Sequence, residues 1–430
     1  KGIDSTPLAE NKSISETIQK RLERPSGKGR QRTTYGPHGL HEYRGKFNPQ
    51  MPRSLMIQNF FYREGMILDP FCGSGTTLIE AAMLGKPSIG IDINPLSCLI
   101  TNAKIAWLEV KELPDLPPDF DDYYYDYDEQ RVTYLRSWFP EERLIGLRQI
   151  LGWAETLESN YKQIVRCVVS NRLRENSFQD PRQLRIRRRE EVPESVLPLI
   201  ERFRNDWVAI LEARKKFDKI DFVKPTCLQG SSIDLIKSVT SPISGTISSP
   251  PYATALPYID TYRLSSVALM LNEKTEISSL ERSLIGARDI VAEDKRLYGQ
   301  WLESLPEPVR GVISRLKSEV DANEDAGFRL IAKPYALARY FALMQDVILE
   351  LYDAEQKGAL NTWVVGPSKT NPGKDKEESG VFVIDTPRLL ACICEEAGFD
   401  TKLRNVEAYS RLDIHSKNSI REEFILSFIR

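Results

Sequence analysis

Met66-Ile-Leu-Asp-Pro-Phe-Cys-Gly-Ser-Gly-Thr-Thr-Leu-Ile-Glu80 is the stretch whose reading decides the fold. Its first four residues form a short apolar run that ends on an acid, Pro70 to Gly75 is a tight turn, and Thr76 to Leu84 has helical composition and spacing. Gly85-Lys-Pro87 stops that helix, and Ser88-Ile-Gly-Ile-Asp92 is a second apolar run ending on an acid. Strand, glycine-rich turn, helix, strand is the βαβ unit of a parallel sheet, and Asn94 to Trp107 reads as the following helix.

Upstream of this unit, residues 1–36 are polar, with Lys20, Arg21, Arg24, Lys28, Arg30 and Arg32 among Pro25, Gly27 and Gly29. Such a composition cannot bury a core and is expected to form a basic, flexible arm. His38 to Gln50 reads as a loop feeding a helix over 51–61. Downstream, the α/β pattern breaks near 108 and resumes near 222, so 108–221 is expected to be a largely helical insertion. After an apolar segment ending in Ser249-Pro-Pro-Tyr252 and a helix over 258–271, residues 273–333 form a second insertion. Helices over 336–351 and 387–397 and strands over 361–366, 381–384 and 422–429 close the chain. The catalytic domain is thus expected over 37–107, 222–272 and 334–430.

The chain has 430 residues, enough for two or three structural units or one large core carrying insertions. No run of about 18 apolar residues is present, which disfavours membrane and secreted classes and points to the cytoplasm. Six cysteines without a C-x-x-C pair, and three histidines, give neither a disulfide framework nor a zinc site, so no metal is expected. The formal net charge is -2, which excludes a polybasic protein that grips nucleic acid over its whole surface. That total conceals segregation: nine acids lie within 109–129 and nine Lys/Arg within 162–189. Arg182, Arg185, Arg187, Arg188 and Arg189 are the candidate phosphate contacts.

Two patterns carry chemistry. The turn after the first strand lacks the Lys of a phosphate-binding loop and does not match G-x-G-x-x-G, which disfavours nucleoside triphosphates and NAD. Asp92 ends the second strand, about where Rossmann-like sites hold a ribose diol. Asp69, the glycines and Asp92 together describe an adenosine pocket whose ligand is not a polyphosphate. Asp92 also reads as a helix cap, and Cys72 as a small packed hydrophobe. The second pattern, Ser249-Pro-Pro-Tyr252, places a rigid extended backbone and an aromatic ring after a strand. A hydroxyl and a carbonyl acceptor beside an aromatic face suit a planar ring bearing an amino group.

Residues 66–95 and 245–263 resemble the cofactor and catalytic motifs of the S-adenosylmethionine-dependent amino-methyltransferases that act on exocyclic nitrogens of DNA bases. The Ser-first form of the S-P-P-Y loop is similar to the cytosine-N4 branch, whereas Asp first is usual for adenine-N6. The segment His41-x-Tyr-Arg-Gly-Lys-Phe-x-Pro-Gln50 is also similar to one that lines the cofactor pocket in some members. The resemblance implies a Rossmann-like methyltransferase fold, an α/β class with a mostly parallel seven-stranded sheet flanked by helices. It implies S-adenosylmethionine as cofactor, with S-adenosylhomocysteine as product. Tyr43, Lys46, Phe47, Pro49, Asp69, Pro70, Phe71, Cys72, Gly73, Ser74, Gly75, Thr76, Thr77, Asp92, Ile93 and Ser232 would surround that cofactor. Ser249, Pro250, Pro251 and Tyr252 would grip a flipped base, with the Ser249 hydroxyl and Pro250 carbonyl accepting the amino hydrogens and Tyr252 stacking on the ring. The implied partners are double-stranded DNA, for which 108–221 is the candidate recognition region, and a cognate restriction endonuclease. The order, cofactor motif before catalytic motif, departs from many cytosine-N4 members. Adenine-N6 methylation of DNA, methylation of an RNA base nitrogen and a non-enzymatic nucleic-acid-binding module are the alternatives. Cytosine-C5 chemistry needs a cysteine nucleophile, typically in a Pro-Cys dipeptide, and none is present.

Overall fold

Strands β1 (Met66–Asp69), β2 (Ser88–Asp92), β3 (Thr226–Gln229) and β4 (Ile243–Ser248) run parallel, with β2 and β4 on either side of β1 and β3 beyond β2. β5 (Leu360–Val365) continues the parallel set beside β4. A short hairpin, β6 (Ser368–Thr370) with β7 (Phe382–Ile384), stands apart from the sheet, and β8 (Asp400–Val406) and β9 (Glu423–Ile429) complete it. The order is β3-β2-β1-β4-β5-β9-β8, and β9 alone runs against the rest. This is a seven-stranded, mostly parallel α/β sheet of the methyltransferase-like class, as expected. The computed structural model describes residues 33–60, 63–183, 185–217, 221–253, 258–372, 381–406 and 423–430. The expected basic arm, apart from residues 33–36, lies outside them.

Alternation along the strands sets the two faces of the sheet. Ile67, Ile247, Val364 and Ile425 point to one side, where they pack with Met51, Leu55, Met56 and Phe60 of the helix segment that opens at Gln50. Leu68, Trp363, Leu426 and Phe428 point to the other, against Leu337, Phe341, Met344 and Ile348 of helix Lys333–Ala354. Residues 273–333 share this second core. Helices Ala292–Ser304 and Glu307–Asp321 flank Lys333–Ala354, and Val309, Ile313, Leu316 and Val320 form the buried stripe of the latter helix at three- and four-residue spacing.

The segment 108–221 contains helices Glu129–Arg136, Glu141–Glu155, Ser159–Leu173 and Leu199–Lys215. Its core is continuous with that of helix Pro95–Glu109: Ile100, Ala103 and Trp107 share one cluster with Leu147, Val165, Phe203 and Trp207. The acidic stretch 110–128 is a strap over these helices. Arg148 donates to the Tyr125 carbonyl at 2.8 Å and stacks over Tyr124 at 3.8 Å, Arg214 donates to the Val110 carbonyl at 2.6 Å, and Arg204 to that of Pro118 at 2.7 Å. The strap's backbone, more than its carboxylates, is what these arginines hold.

Candidate active site at the topological switch point

Strand order reverses between β1 and β4, and in open α/β sheets a ligand crevice lies beyond the carboxyl ends of the strands at such a point. β1 ends at Asp69 and β4 at Ser248, and the Ser248 hydroxyl donates to Asp69 Oδ1 at 2.6 Å. The two patterns singled out in the sequence therefore leave the sheet side by side. Asp69 Oδ1 also accepts the Phe71 amide at 3.1 Å, which starts the turn. Burial raises the Asp69 carboxyl to about 6.

The turn is braced on three sides. Asp92 takes the Gly73 amide on Oδ2 at 2.9 Å and the Asn94 amide on Oδ1 at 2.8 Å, so one half-buried carboxylate ties the first turn to the second. Burial raises it to about 7. The helix cap itself is Asn94, whose side chain accepts from the Leu96 amide at 3.0 Å. From below, Thr101 donates to the Gly73 carbonyl at 3.1 Å and the wholly buried Lys104 to the Ser74 carbonyl at 2.6 Å. Ser232, at the start of helix Ser232–Leu235, donates to the Pro70 carbonyl. With Gly73 and Ser74 carbonyls held from the helix side, the turn is fixed as a cradle.

The glycines serve two purposes. Gly75 has φ +73°, and a Cβ there would lie 2.5 Å from Thr101, so its bare backbone is demanded by the packing of helix Pro95–Glu109 rather than by a ligand. Gly73 has φ +51°, and a Cβ there would meet Tyr43 alone, at 3.7 Å. The Ser74 and Thr76 hydroxyls are buried and unpartnered among the described residues. Cys72 is buried, with its Cβ 2.6 Å from where a side chain at Gly90 would begin and its sulfur 4.0 Å from that of Cys227. Orphaned buried hydroxyls beside an open cradle, with an acid at the end of β2, are a donor set that fits the amino-acid and ribose parts of an adenosyl sulfonium ligand.

Of the loop before helix Gln50–Asn59, Tyr43 reaches the turn, bonded to Ser97 Oγ at 2.9 Å. Lys46 turns the other way and donates to the His38 and Thr33 carbonyls at 2.7 and 3.1 Å, its ammonium lowered to about 8 by burial. Phe47 packs on the core under the sheet, and Pro49 precedes the helix. The loop is anchored by Glu80, fully buried in helix Thr76–Met83, which bonds His38 at 2.8 Å, Arg53 at 3.1 Å and the Tyr35 hydroxyl. Glu80, Thr101 and Lys104 were not legible as site residues, because nothing in their local sequence separates them from ordinary helix positions.

Beyond β4, Ser249 Oγ donates to the Val364 carbonyl of β5 at 3.3 Å. The Pro251 carbonyl accepts the Tyr340 hydroxyl at 2.9 Å, and Tyr340 is wholly buried in helix Lys333–Ala354. Pro250 is buried, while Pro251 and Tyr252 are partly exposed. The loop is thus fixed by bonds to β5 and to helix Lys333–Ala354.

The arginine cluster divides. Arg189 donates to the Ser177 carbonyl at 2.8 and 3.1 Å and to that of Glu175 at 2.6 Å; Arg188 donates to the Ser137 carbonyl and lies 4.9 Å over Phe178. Arg182 pairs with Asp180 at 3.1 Å. Arg185 and Arg187 are exposed. This loop abuts the segment that follows the S-P-P-Y loop: the Ile186 amide donates to Asp260 Oδ2 at 3.0 Å and Gln179 to the Thr261 carbonyl at 3.1 Å. Among the described residues no cluster of three His, Cys, Asp or Glu could hold a metal ion, and no helix is long and apolar enough to cross a membrane.

Residues 10–103 match the family model described as DNA methylase, of the N6/N4 type. Over 76 residues the chain is 43% identical to Type II methyltransferase M.MjaII of Methanocaldococcus jannaschii, covering 18% of this chain and 14% of that protein. It is 27% identical over 272 residues to Type II methyltransferase M.BsoBI of Geobacillus stearothermophilus, covering 55% and 53%. With Type II methyltransferase M.MvaI of Kocuria varians it shares 23% identity over 316 residues, covering 66% and 68%. The chain spans a small part of the first of these relatives and about half of the second.

Proposed function

We propose that this chain, which carries the N6/N4 DNA methylase pattern over residues 10–103, is a Type II DNA methyltransferase that methylates the exocyclic N4 of a flipped cytosine. The observation that carries the reading is the Ser249 hydroxyl, whose proton is directed at the Val364 carbonyl. Its lone pairs are then left as an acceptor beside the β1 turn. An exocyclic amine is a poor nucleophile while its lone pair is delocalised into the ring. Acceptors on the amino hydrogens localise that pair, and Ser249 with the Pro250 carbonyl supplies them. Tyr252 would stack on the ring. Ser at 249, where Asp would be usual for adenine, favours cytosine.

S-adenosylmethionine, when bound, supplies an electrophilic methyl group on sulfur. Gly73, Ser74 and Thr76 would hold its amino-acid part, Asp92 its ribose, and Tyr43 would cover the turn. Ile93, next after Asp92, is partly exposed at the same edge. The chain's contribution is mostly orientation, since both loops are pinned by buried groups before any ligand arrives. No strong base is required, because the nitrogen sheds its proton after it has become cationic. Extruding the base costs a few kcal/mol, which phosphate contacts at Arg185 and Arg187 would offset. A cognate restriction endonuclease completes the proposed system, in a prokaryotic cytosol.

The test is transfer of labelled methyl groups from S-adenosylmethionine to plasmid DNA by the full chain and by Ser249→Ala. The wild type should label DNA and the variant should turn over about a hundredfold more slowly or worse, with S-adenosylhomocysteine affinity unchanged. Equal turnover would remove Ser249 from the role assigned to it.

A further inference from the structure

One short segment touches both the loop that carries Tyr43 and the arginine-bearing loop. Asp260, Thr261 and Tyr262 follow the S-P-P-Y loop within a dozen residues, at the junction of helices Tyr258–Thr261 and Arg263–Ala268. Asp260, 8% exposed, accepts the Ile186 amide of the arginine-bearing loop on Oδ2 and pairs through Oδ1 with Arg263 at 2.8 Å. The Thr261 carbonyl takes the Gln179 amide of the same loop. Tyr262, 3% exposed, turns to the opposite side. Its ring stacks on Tyr43 with centroids 5.5 Å apart and planes 9° from parallel. Its hydroxyl accepts the Arg44 amide at 2.8 Å and donates to the Glu42 carbonyl at 3.0 Å. The Arg174 guanidinium lies 5.9 Å from the ring, and Arg174 also holds the Pro181 and Gln183 carbonyls of the arginine-bearing loop at 2.9 and 2.7 Å. Arg44 reaches the Pro181 carbonyl as well, at 3.0 Å.

The consequence is mechanical. Tyr43 is the side chain facing Gly73, and its ring is held by the ring of Tyr262; the loop that would contact phosphates is held by the two residues just before Tyr262 and by Arg44 and Arg174 on either side of it. Neither loop can shift by an ångström without opening bonds to 260–262 or to those two arginines. We propose that Tyr262 is a positioning residue that couples the cofactor pocket to the DNA-facing loop, so that each ligand tightens the binding of the other. By linkage the two effects are one factor, and factors of about 5 to 150 are usual for such coupling. The inference rests on the functional reading above, and it concerns neither the chemistry nor the affinity of either ligand alone.

The measurement is S-adenosylhomocysteine affinity by titration calorimetry on the full chain, with and without saturating plasmid DNA, for wild type, Tyr262→Phe and Tyr262→Ala. DNA should tighten wild-type binding at least about fivefold. Tyr262→Phe keeps the ring stack and loses the two hydroxyl bonds, so its factor should be intermediate. Tyr262→Ala should bring the factor close to one. A factor of one in the wild type, or equal factors in wild type and Tyr262→Phe, would overturn the proposal, and the latter comparison stands even where Tyr262→Ala fails to fold. Wild-type protein that binds neither S-adenosylhomocysteine nor DNA would instead refute the functional reading, and this inference with it.

Discussion

Asp69 shows at single-residue scale how the site is held in tension. A carboxyl at 3% exposure is costly when ionised, and burial raises Asp69 to about 6 and its neighbour Asp92 to about 7, both well above the ordinary 3.8. Because the folded value exceeds the unfolded one, the stability associated with the protonated form is complete below about pH 4. It is lost as pH rises through 6 for Asp69 and 7 for Asp92, at about 1.4 kcal/mol per pH unit within each window. Asp69→Asn keeps an oxygen for both bonds that Oδ1 accepts, from Phe71 and Ser248, and removes the titration. The melting temperature of the variant relative to wild type should therefore climb between pH 4 and pH 7. A difference that stays flat across that range, in thermal melts at matched ionic strength, would show that ionisation of Asp69 does not strain the fold. At this scale the sequence was informative where chemistry is local: an acid ending each strand and a Pro-Pro pair after a third are visible without a fold. It was silent on Tyr262 and Lys104, whose roles exist only because distant segments meet them.

The arginine-bearing loop belongs to the element scale. Counting charge along the chain located it, and could not say which guanidiniums would be used up inside it. Arg189 closes on the carbonyls of Glu175 and Ser177, just past the end of helix Ser159–Leu173, and Arg188 on that of Ser137, so both are fastened by backbone acceptors that folding creates. Arg185 and Arg187 are exposed, as are Arg182, which pairs with Asp180, and Arg188. Replacing Arg185 and Arg187 with Gln should lower the slope of log affinity for DNA against log salt by about one per lost phosphate contact, leaving the melting temperature nearly unchanged. An unaltered slope in a salt titration of binding would move the DNA face elsewhere. The acidic strap follows the same logic. The stretch 109–129 carries nine acids, yet arginines of helices Glu141–Glu155 and Leu199–Lys215 hold the strap by its backbone carbonyls.

For the whole molecule, the decisive fact is topological. The glycine-rich turn and the S-P-P-Y loop are 174 to 182 residues apart at their facing ends, counting from Gly75 to Ser249 and from Pro70 to Tyr252, and adjacency of β1 and β4 brings them together. The βαβ unit implied a parallel sheet, and the sheet's switch point then dictates where a ligand must sit. What escaped the sequence was the far edge. β8, Asp-Thr-Lys-Leu-Arg-Asn-Val over 400–406, is too polar to read as a strand, and it is one only because β9 pairs with it along its length. Residues 273–333, expected as a second insertion from their charge and prolines, carry a buried stripe that packs on helix Lys333–Ala354. What this assembly does to DNA is the direct measure of its function. Incubating the full chain with labelled S-adenosylmethionine and plasmid DNA, then digesting the DNA and separating its nucleosides, should place the label in N4-methylcytosine. Label in N6-methyladenine, or none in DNA, would contradict it.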